Sequence, residues 1–327
     1  MNLNLSSVFR IIGIVMAVIS LSMLPSVIVS FIYDDSSIYI PFLMTMLIAG
    51  AIGILLMKLC QYRMQHLKVR DGFLIVTLCW LISAILGAVP FVITDSIPHF
   101  ADAFFESCSG FSTTGSTVLA EPELLPKGIL FWRSFTHWIG GMGILIFAIA
   151  LMPSLGISGQ NIAVSEAPGP SLDKVTPKMS DTAKTLYIIY LLFTIIETIM
   201  LMLGGMSLYD SLITSFGSVG TGGLSNYSDS IGHFDSTYIR MVITAFMFLC
   251  GVNFNLYFLS LKHGLKTFTR DSEFKLYVFV FAAASLFIFA ALLISGQYDE
   301  VLPAFSDSVF QVSSILTTTG FITADYE

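Results

Sequence analysis

Seven apolar stretches divide this chain, each long enough to cross a bilayer, which takes about 20 helical residues. They run Val8 to Tyr33, Ile40 to Leu59, Gly72 to Thr94, Gly128 to Met152, Thr185 to Leu203, Ser236 to Leu261 and Lys275 to Ser295. The first begins near the N-terminus but is too long for a cleaved signal peptide and lacks its flanks, so it reads as a retained helix. Between the long stretches lie shorter apolar segments with a shared pattern. An acidic residue opens each one, and thirteen residues later a Thr/Ser/Gly-rich loop closes it: Asp102 to Gly115, Asp210 to Gly223, Asp307 to Gly320. Aligned without a gap, they superpose the three aspartates, then Thr113, Thr221 and Thr318, then the closing glycines. Each predicts a re-entrant helix of about ten residues, too short to span. The loop after it is tolerable at membrane depth only where it is buried in protein or lines water.

The closing glycines stand 108 and 97 residues apart, so the pattern is an internal repeat. Each unit reads membrane helix, re-entrant helix, loop, membrane helix. In unit one these are Gly72 to Thr94, Ala101 to Gly110, Phe111 to Ser116 and Gly128 to Met152; unit two runs to about Leu261, and unit three ends after its loop at Glu327. Two crossings per unit bring all three loops in from one side, as parallel repeats about an axis along the membrane normal. The expected fold is an all-α integral membrane protein, an N-terminal helical hairpin followed by tandem pore units. Residues 1–70 form the hairpin, 71–180 pore unit one with a cytoplasmic linker, 181–270 unit two, and 271–327 a partial unit three.

Composition agrees with a membrane class. Hydrophobic residues make up 55% and charged residues 11%, with a mean hydropathy of +0.83; a soluble domain carries roughly 25% charge. Charge placement sets the orientation. Arg10, Lys58, Arg63, Lys68, Arg70, Lys174, Lys178, Lys184, Lys262, Lys266, Arg270 and Lys275 fall on one side of the zigzag, and only Lys127, Arg133 and Arg240 on the other. The positive-inside rule makes the first side, with the N-terminus, cytoplasmic. The outer face collects acids instead, among them Asp34, Asp95, Glu121, Glu123, Asp299 and Glu300, and such a surface concentrates cations. Cys60, Cys79, Cys108 and Cys250 show no metal or disulfide spacing, and the five histidines make no ligand pattern.

Glycine permits backbone conformations that turn consecutive carbonyls to one side, and a ring of such carbonyls can replace the hydration shell of K⁺. The re-entrant helices aim their negative C-terminal ends inward, which also favours a cation. A catalytic reading of the loops lacks a base, because their Ser and Thr have no nearby His or Lys. Gly217 to Gly223 has no Lys-Ser/Thr after it and no βαβ context, so it is not a phosphate loop.

The residues resemble the Trk/Ktr/HKT potassium transporters, and within them the TrkH type. The resemblance rests on Phe104-Phe105-Glu106-Ser107 with Ser112-Thr113-Thr114-Gly115, on Trp138-Ile139-Gly140-Gly141-Met142-Gly143, and on a linker with Pro168-Gly169-Pro170 and Thr182-Ala183-Lys184-Thr185. It implies four units around one pseudo-fourfold pore, with K⁺ as the transported ion and no covalent cofactor. The ion-lining residues it implies are Ser112, Thr113, Thr114 and Gly115; Gly220, Thr221, Gly222 and Gly223; Thr317, Thr318, Thr319 and Gly320. K⁺ itself would sit at Thr113, Thr114, Thr221, Gly222, Thr318 and Thr319. Gly115 matches the K⁺-permissive form rather than the serine of Na⁺-favouring relatives. A Na⁺ or mixed transporter, or a truncated and non-conducting product, are the alternatives. The resemblance also implies a bacterial inner-membrane location, a homodimer in the bilayer, and a cytoplasmic nucleotide-binding regulatory ring of the TrkA type, with no nucleic acid. It predicts a fourth unit and the remainder of the third, roughly 150 further residues by helix length.

Other polar residues have two readings each. Asp102, Asp210 and Asp307 are expected to cap the re-entrant helices or to touch ions. Glu106 either contacts the ion path or only holds the loop by hydrogen bonds. Glu197, alone among acids inside a span, is a buried hydrogen-bonding partner or a coupling residue. Gly140, Gly141 and Gly143 are expected on one helix that packs closely through small residues. Asn253 and Asn255 are expected to bond between helices, with a pore-lining role as the alternative.

Overall fold

The computed structural model describes residues 5–34, 36–60, 69–143, 179–296, 298 and 300–324. Among these the regular structure is helical, and the backbone separates into two compact units. The linker residues Pro168-Gly169-Pro170, and basic residues Arg63, Lys68, Lys174 and Lys178, lie outside the described residues.

The first unit comprises residues 1–111 and 124–184. It contains α1 (Leu5–Ser22), α2 (Leu24–Tyr33), α3 (Ser36–Leu59), α4 (Val69–Ile93), α5 (Phe100–Phe111) and α6 (Lys127–Gly141). Helices α1 and α2 together make one apolar span, interrupted at Met23 where Pro25 can only begin a new helix. Helix α1 packs on α3 at two glycines: a Cβ on Gly13 or Gly53 would crowd the other's carbonyl oxygen at 2.7 Å. Around Trp132 four helices meet. Its indole is fully buried and donates Nε1–H to Gly87 O of α4 at 3.0 Å, with Phe42 of α3 and Phe111 of α5 edge-on to the ring. Asp34, following α2, takes the first two amides of α6 (Lys127 N at 3.0 Å, Gly128 N at 2.8 Å), donors that no helix can satisfy internally. Helix α6 covers the first part of the expected span Gly128 to Met152; the part beyond Gly143 lies outside the described residues.

The second unit comprises residues 112–123 and 185–327. Its helices are α7 (Met179–Leu203, whose first six residues fall in the other unit), α8 (Leu208–Val219), α9 (Thr237–Cys250), α10 (Phe254–His263), α11 (Lys266–Arg270), α12 (Ser272–Ser295) and α13 (Val301–Leu316). Its core gathers Leu201, Met206, Ile239, Ile243, Phe246, Met247, Phe310 and Phe321. The expected single span Ser236 to Leu261 is corrected here, because α9 and α10 meet at an 80° bend across Gly251–Asn253. Asn253 caps α10 by accepting from Asn255 N at 3.1 Å, which stops α9 from continuing. The carbonyls freed by the bend are satisfied by phenols: Tyr277 donates to Phe248 O at 3.0 Å and Tyr257 to Leu249 O at 2.6 Å.

Candidate ion-conducting site

Helix α8 shows why the re-entrant segments are short helices. Ser207 caps it, accepting from Asp210 N at 3.0 Å while its hydroxyl donates to the Asp210 carboxylate at 2.6 Å. Gly220 ends it twelve residues on, about 18 Å of helix and well short of a bilayer. Asp102 and Asp210 sit in the first turns of α5 and α8, where a negative charge meets the helix dipole. Asp210 also takes the Asn226 amide at 3.2 Å and the Tyr227 hydroxyl at 3.4 Å, fastening the outer loop. The expectation for Asp307 is corrected. Helix α13 starts at Val301, so Asp307 lies in its second turn, buried, where it pairs with Arg240 at 3.5 Å and accepts from Tyr298 OH at 2.8 Å.

After each short helix the backbone repeats one unusual geometry. Thr113, Thr221 and Thr318 have φ of 55°, 53° and 59°, and Gly115, Gly223 and Gly320 have 77°, 70° and 85°; the residue between is not left-handed in any loop. A threonine in this region is strained. Extended backbone points successive carbonyls to opposite sides, whereas alternating the hand at every second residue turns them the same way. The amides, meanwhile, fold back. Gly222 N and Gly223 N both reach Gly217 O (2.8 and 3.3 Å), and at the aligned positions Thr319 N and Gly320 N both reach Ser314 O (2.8 and 3.4 Å). In loops two and three these N–H groups are therefore spent on the helix behind them.

All twelve sequence-predicted positions lie in the second unit, since loop one (from Ser112) belongs to it although α5 does not. The three loops touch. A Cβ on Gly115 would overlap the carbonyl oxygen of Gly222 and lie 3.6 Å from that of Thr319; a Cβ on Gly223 would overlap the carbonyl oxygen of Thr319. Gly115 and Gly223 thus each face the carbonyl that precedes the closing glycine of the next loop, and Gly320 faces open space. Two loops are braced by their own side chains: Ser112 Oγ with Thr114 Oγ1 at 2.7 Å, and Thr317 Oγ1 with Thr319 Oγ1 at 2.8 Å. Converging peptide oxygens without a fixed positive group can take the place of water around a monovalent cation.

A buried ion pair joins two helices of the first unit. Glu106 of α5 is paired with Arg133 of α6 at 2.5 Å, both hidden from solvent. The sequence reading missed both arginine partnerships. The signal was present, since Arg133 and Arg240 lie 18 and 17 residues past their closing glycines within apolar helices, and a charge there demands a partner. Gly140 packs against α5, where a Cβ would overlap the Phe111 carbonyl oxygen. The helix expected to carry Gly140, Gly141 and Gly143 ends at Gly141, with Gly143 in a left-handed turn (φ 69°) beyond it. Asn255 gives only its amide to the cap, while the Asn253 side chain also approaches Glu273 at 3.5 Å.

The family model for TrkH, described as a cation transport protein, matches residues 40–327. The chain belongs to this family. It is 38% identical over 326 residues to the Trk system potassium uptake protein TrkH of Vibrio parahaemolyticus, covering 98% of this chain and 67% of that protein. It is 37% identical over 325 residues to the protein of the same name from Escherichia coli K12, with the same coverage. It is also 31% identical to an uncharacterised cation transporter of Methanocaldococcus jannaschii, over 98% of this chain and 64% of the relative. Its fold matches the crystal structure of the potassium transporter TrkH from Vibrio parahaemolyticus with a TM-score of 0.85 at 36% identity, over 98% of this chain and 66% of that one. The chain therefore spans about two thirds of the length of the relatives it matches, and it shares their helical membrane fold. Five of its described helices are long and apolar enough to cross a bilayer, or six with α9 and α10 taken as one broken span.

Proposed function

We propose that the three loops are filter strands of a K⁺ uptake pathway in a bacterial plasma membrane. The observation that carries this reading is the threefold recurrence of a left-handed Thr and a left-handed Gly, two residues apart, in loops whose glycines meet one another's carbonyls. K⁺ enters past an acidic outer surface, sheds water onto the peptide oxygens of Thr113 to Gly115, Thr221 to Gly223 and Thr318 to Gly320, and moves inward. The membrane potential drives it, at about 2.3 kcal/mol per charge per 100 mV. The basic inner segments, Lys58 and Lys262 to Lys275 among them, set the N-terminus in the cytoplasm. Relatives are named as parts of a Trk system, and on that likeness a homodimer and a cytoplasmic nucleotide-binding regulatory subunit complete the assembly.

Gly115→Ala and Gly223→Ala test the assignment, because each adds a methyl to a left-handed residue and drives it into a neighbouring loop's carbonyl. In a strain lacking other K⁺ uptake systems, the intact protein is expected to restore growth at low K⁺ and both variants to fail. Growth of the variants equal to wild type would remove these loops from the pathway.

A further inference from the structure

Glu197 is fully buried in α7, and the filter reading leaves it without a task. Its Oε1 lies 2.5 Å from Ser218 Oγ, its Oε2 has no hydrogen-bond partner, and among the described residues no basic side chain pairs with it. Ser218 stands two residues before Gly220, and its carbonyl oxygen accepts from Thr221 N, the left-handed threonine of loop two, at 3.2 Å. One helical turn of α8 earlier, Ser215 Oγ accepts from Thr198 of α7 at 3.1 Å. Helix α7 thus grips the last turn of α8 at two adjacent points, one of which continues through the backbone into the filter.

The other two loops differ here. Ser218 aligns with Gly110 and Ile315, which have no hydroxyl. Those loops carry instead the internal braces Ser112–Thr114 and Thr317–Thr319, at positions where loop two has Gly220 and Gly222. Loop two therefore combines the most permissive backbone with no side-chain brace of its own.

We propose that Glu197 is a positioning residue for the second filter loop, holding the end of α8 through Ser218 in place of the hydroxyl brace that Gly220 and Gly222 cannot form. The inference rests on the filter reading above. Its role concerns discrimination between ions, since a loosely held loop still conducts but no longer keeps its oxygens at the spacing one ion requires.

The test is Rb⁺ uptake with Na⁺ competition by the intact protein in lipid vesicles, comparing wild type with Glu197→Ala, Glu197→Gln and Ser218→Ala, with thermal unfolding followed on the same preparations. Loss of a hydrogen bond to a carboxyl is expected to lower the Rb⁺ over Na⁺ preference about tenfold in Glu197→Ala and Ser218→Ala. Glu197→Gln, which keeps an oxygen and a donor in place, is expected to retain it. If Glu197→Ala does not fold, Ser218→Ala decides, because it removes only a hydroxyl. An unchanged preference in the folded variants, with flux merely reduced, would overturn the inference. Absence of Rb⁺ uptake by wild type would overturn the filter reading instead.

Discussion

A threonine held in the left-handed region costs about 1–2 kcal/mol, and this chain places one at the same position of three repeats. Strain repeated at aligned positions marks a constraint on the backbone itself; under the proposed filter that constraint is the direction of the carbonyls. The buried Glu106–Arg133 pair joins α5 to α6 within the first unit. Removing one partner strands a buried charge, so Arg133→Met alone is expected to lower stability by about 3–5 kcal/mol, while Glu106→Gln with Arg133→Met recovers much of it. Unfolding in detergent, monitored for both variants, checks this. At the outer surface, Glu123 accepts from Ser228 N at 3.2 Å and Ser228 Oγ at 2.9 Å. Its own backbone N–H first, then Ser228 and the charge of His233, hold its carboxyl below the usual carboxylate range against the opposing desolvation. A lowered folded-state value means a contribution fully present above the ordinary value of 4.5 and lost as pH falls through the lowered one. The Tm of Glu123→Gln should therefore lie below wild type at pH 7, with the gap closing in acid.

Helices show most clearly what the sequence made legible. Re-entrant α5 and α8 could be read because an aspartate in the first turn and a Gly-containing loop after the last bound each of them. The same aspartate failed as a boundary in the third repeat, where Val301 to Phe305 continues the apolar pattern upstream and the helix starts earlier. There Arg240, 67 residues away in sequence, and not the helix end, fixes the role of Asp307. The bend between α9 and α10 was hidden for a similar reason. Hydropathy runs unbroken through it, and the phenols of Tyr257 and Tyr277 that satisfy Leu249 and Phe248 are visible only in three dimensions. Small residues at helix crossings were readable as a type but not by partner. Gly140 is the case in point: alanine there would push α6 off the Phe111 carbonyl, and overpacking of this kind is expected to cost about 1–3 kcal/mol. Thermal unfolding of Gly140→Ala against wild type measures it.

At the scale of the molecule, a repeat of about a hundred residues gathers twelve dispersed positions into one compact unit. The period, the Thr and the Gly of each loop were present in the sequence; the order of contact along the loops, with Gly115 set against Gly222 O and Gly223 against Thr319 O, was not. Anomalous X-ray scattering from crystals of the intact protein grown in Rb⁺ tests the central claim most directly. The account predicts Rb⁺ peaks among the carbonyls of Thr113 to Gly115, Thr221 to Gly223 and Thr318 to Gly320. Ordered Rb⁺ elsewhere along the pathway, with none at these oxygens, would contradict it.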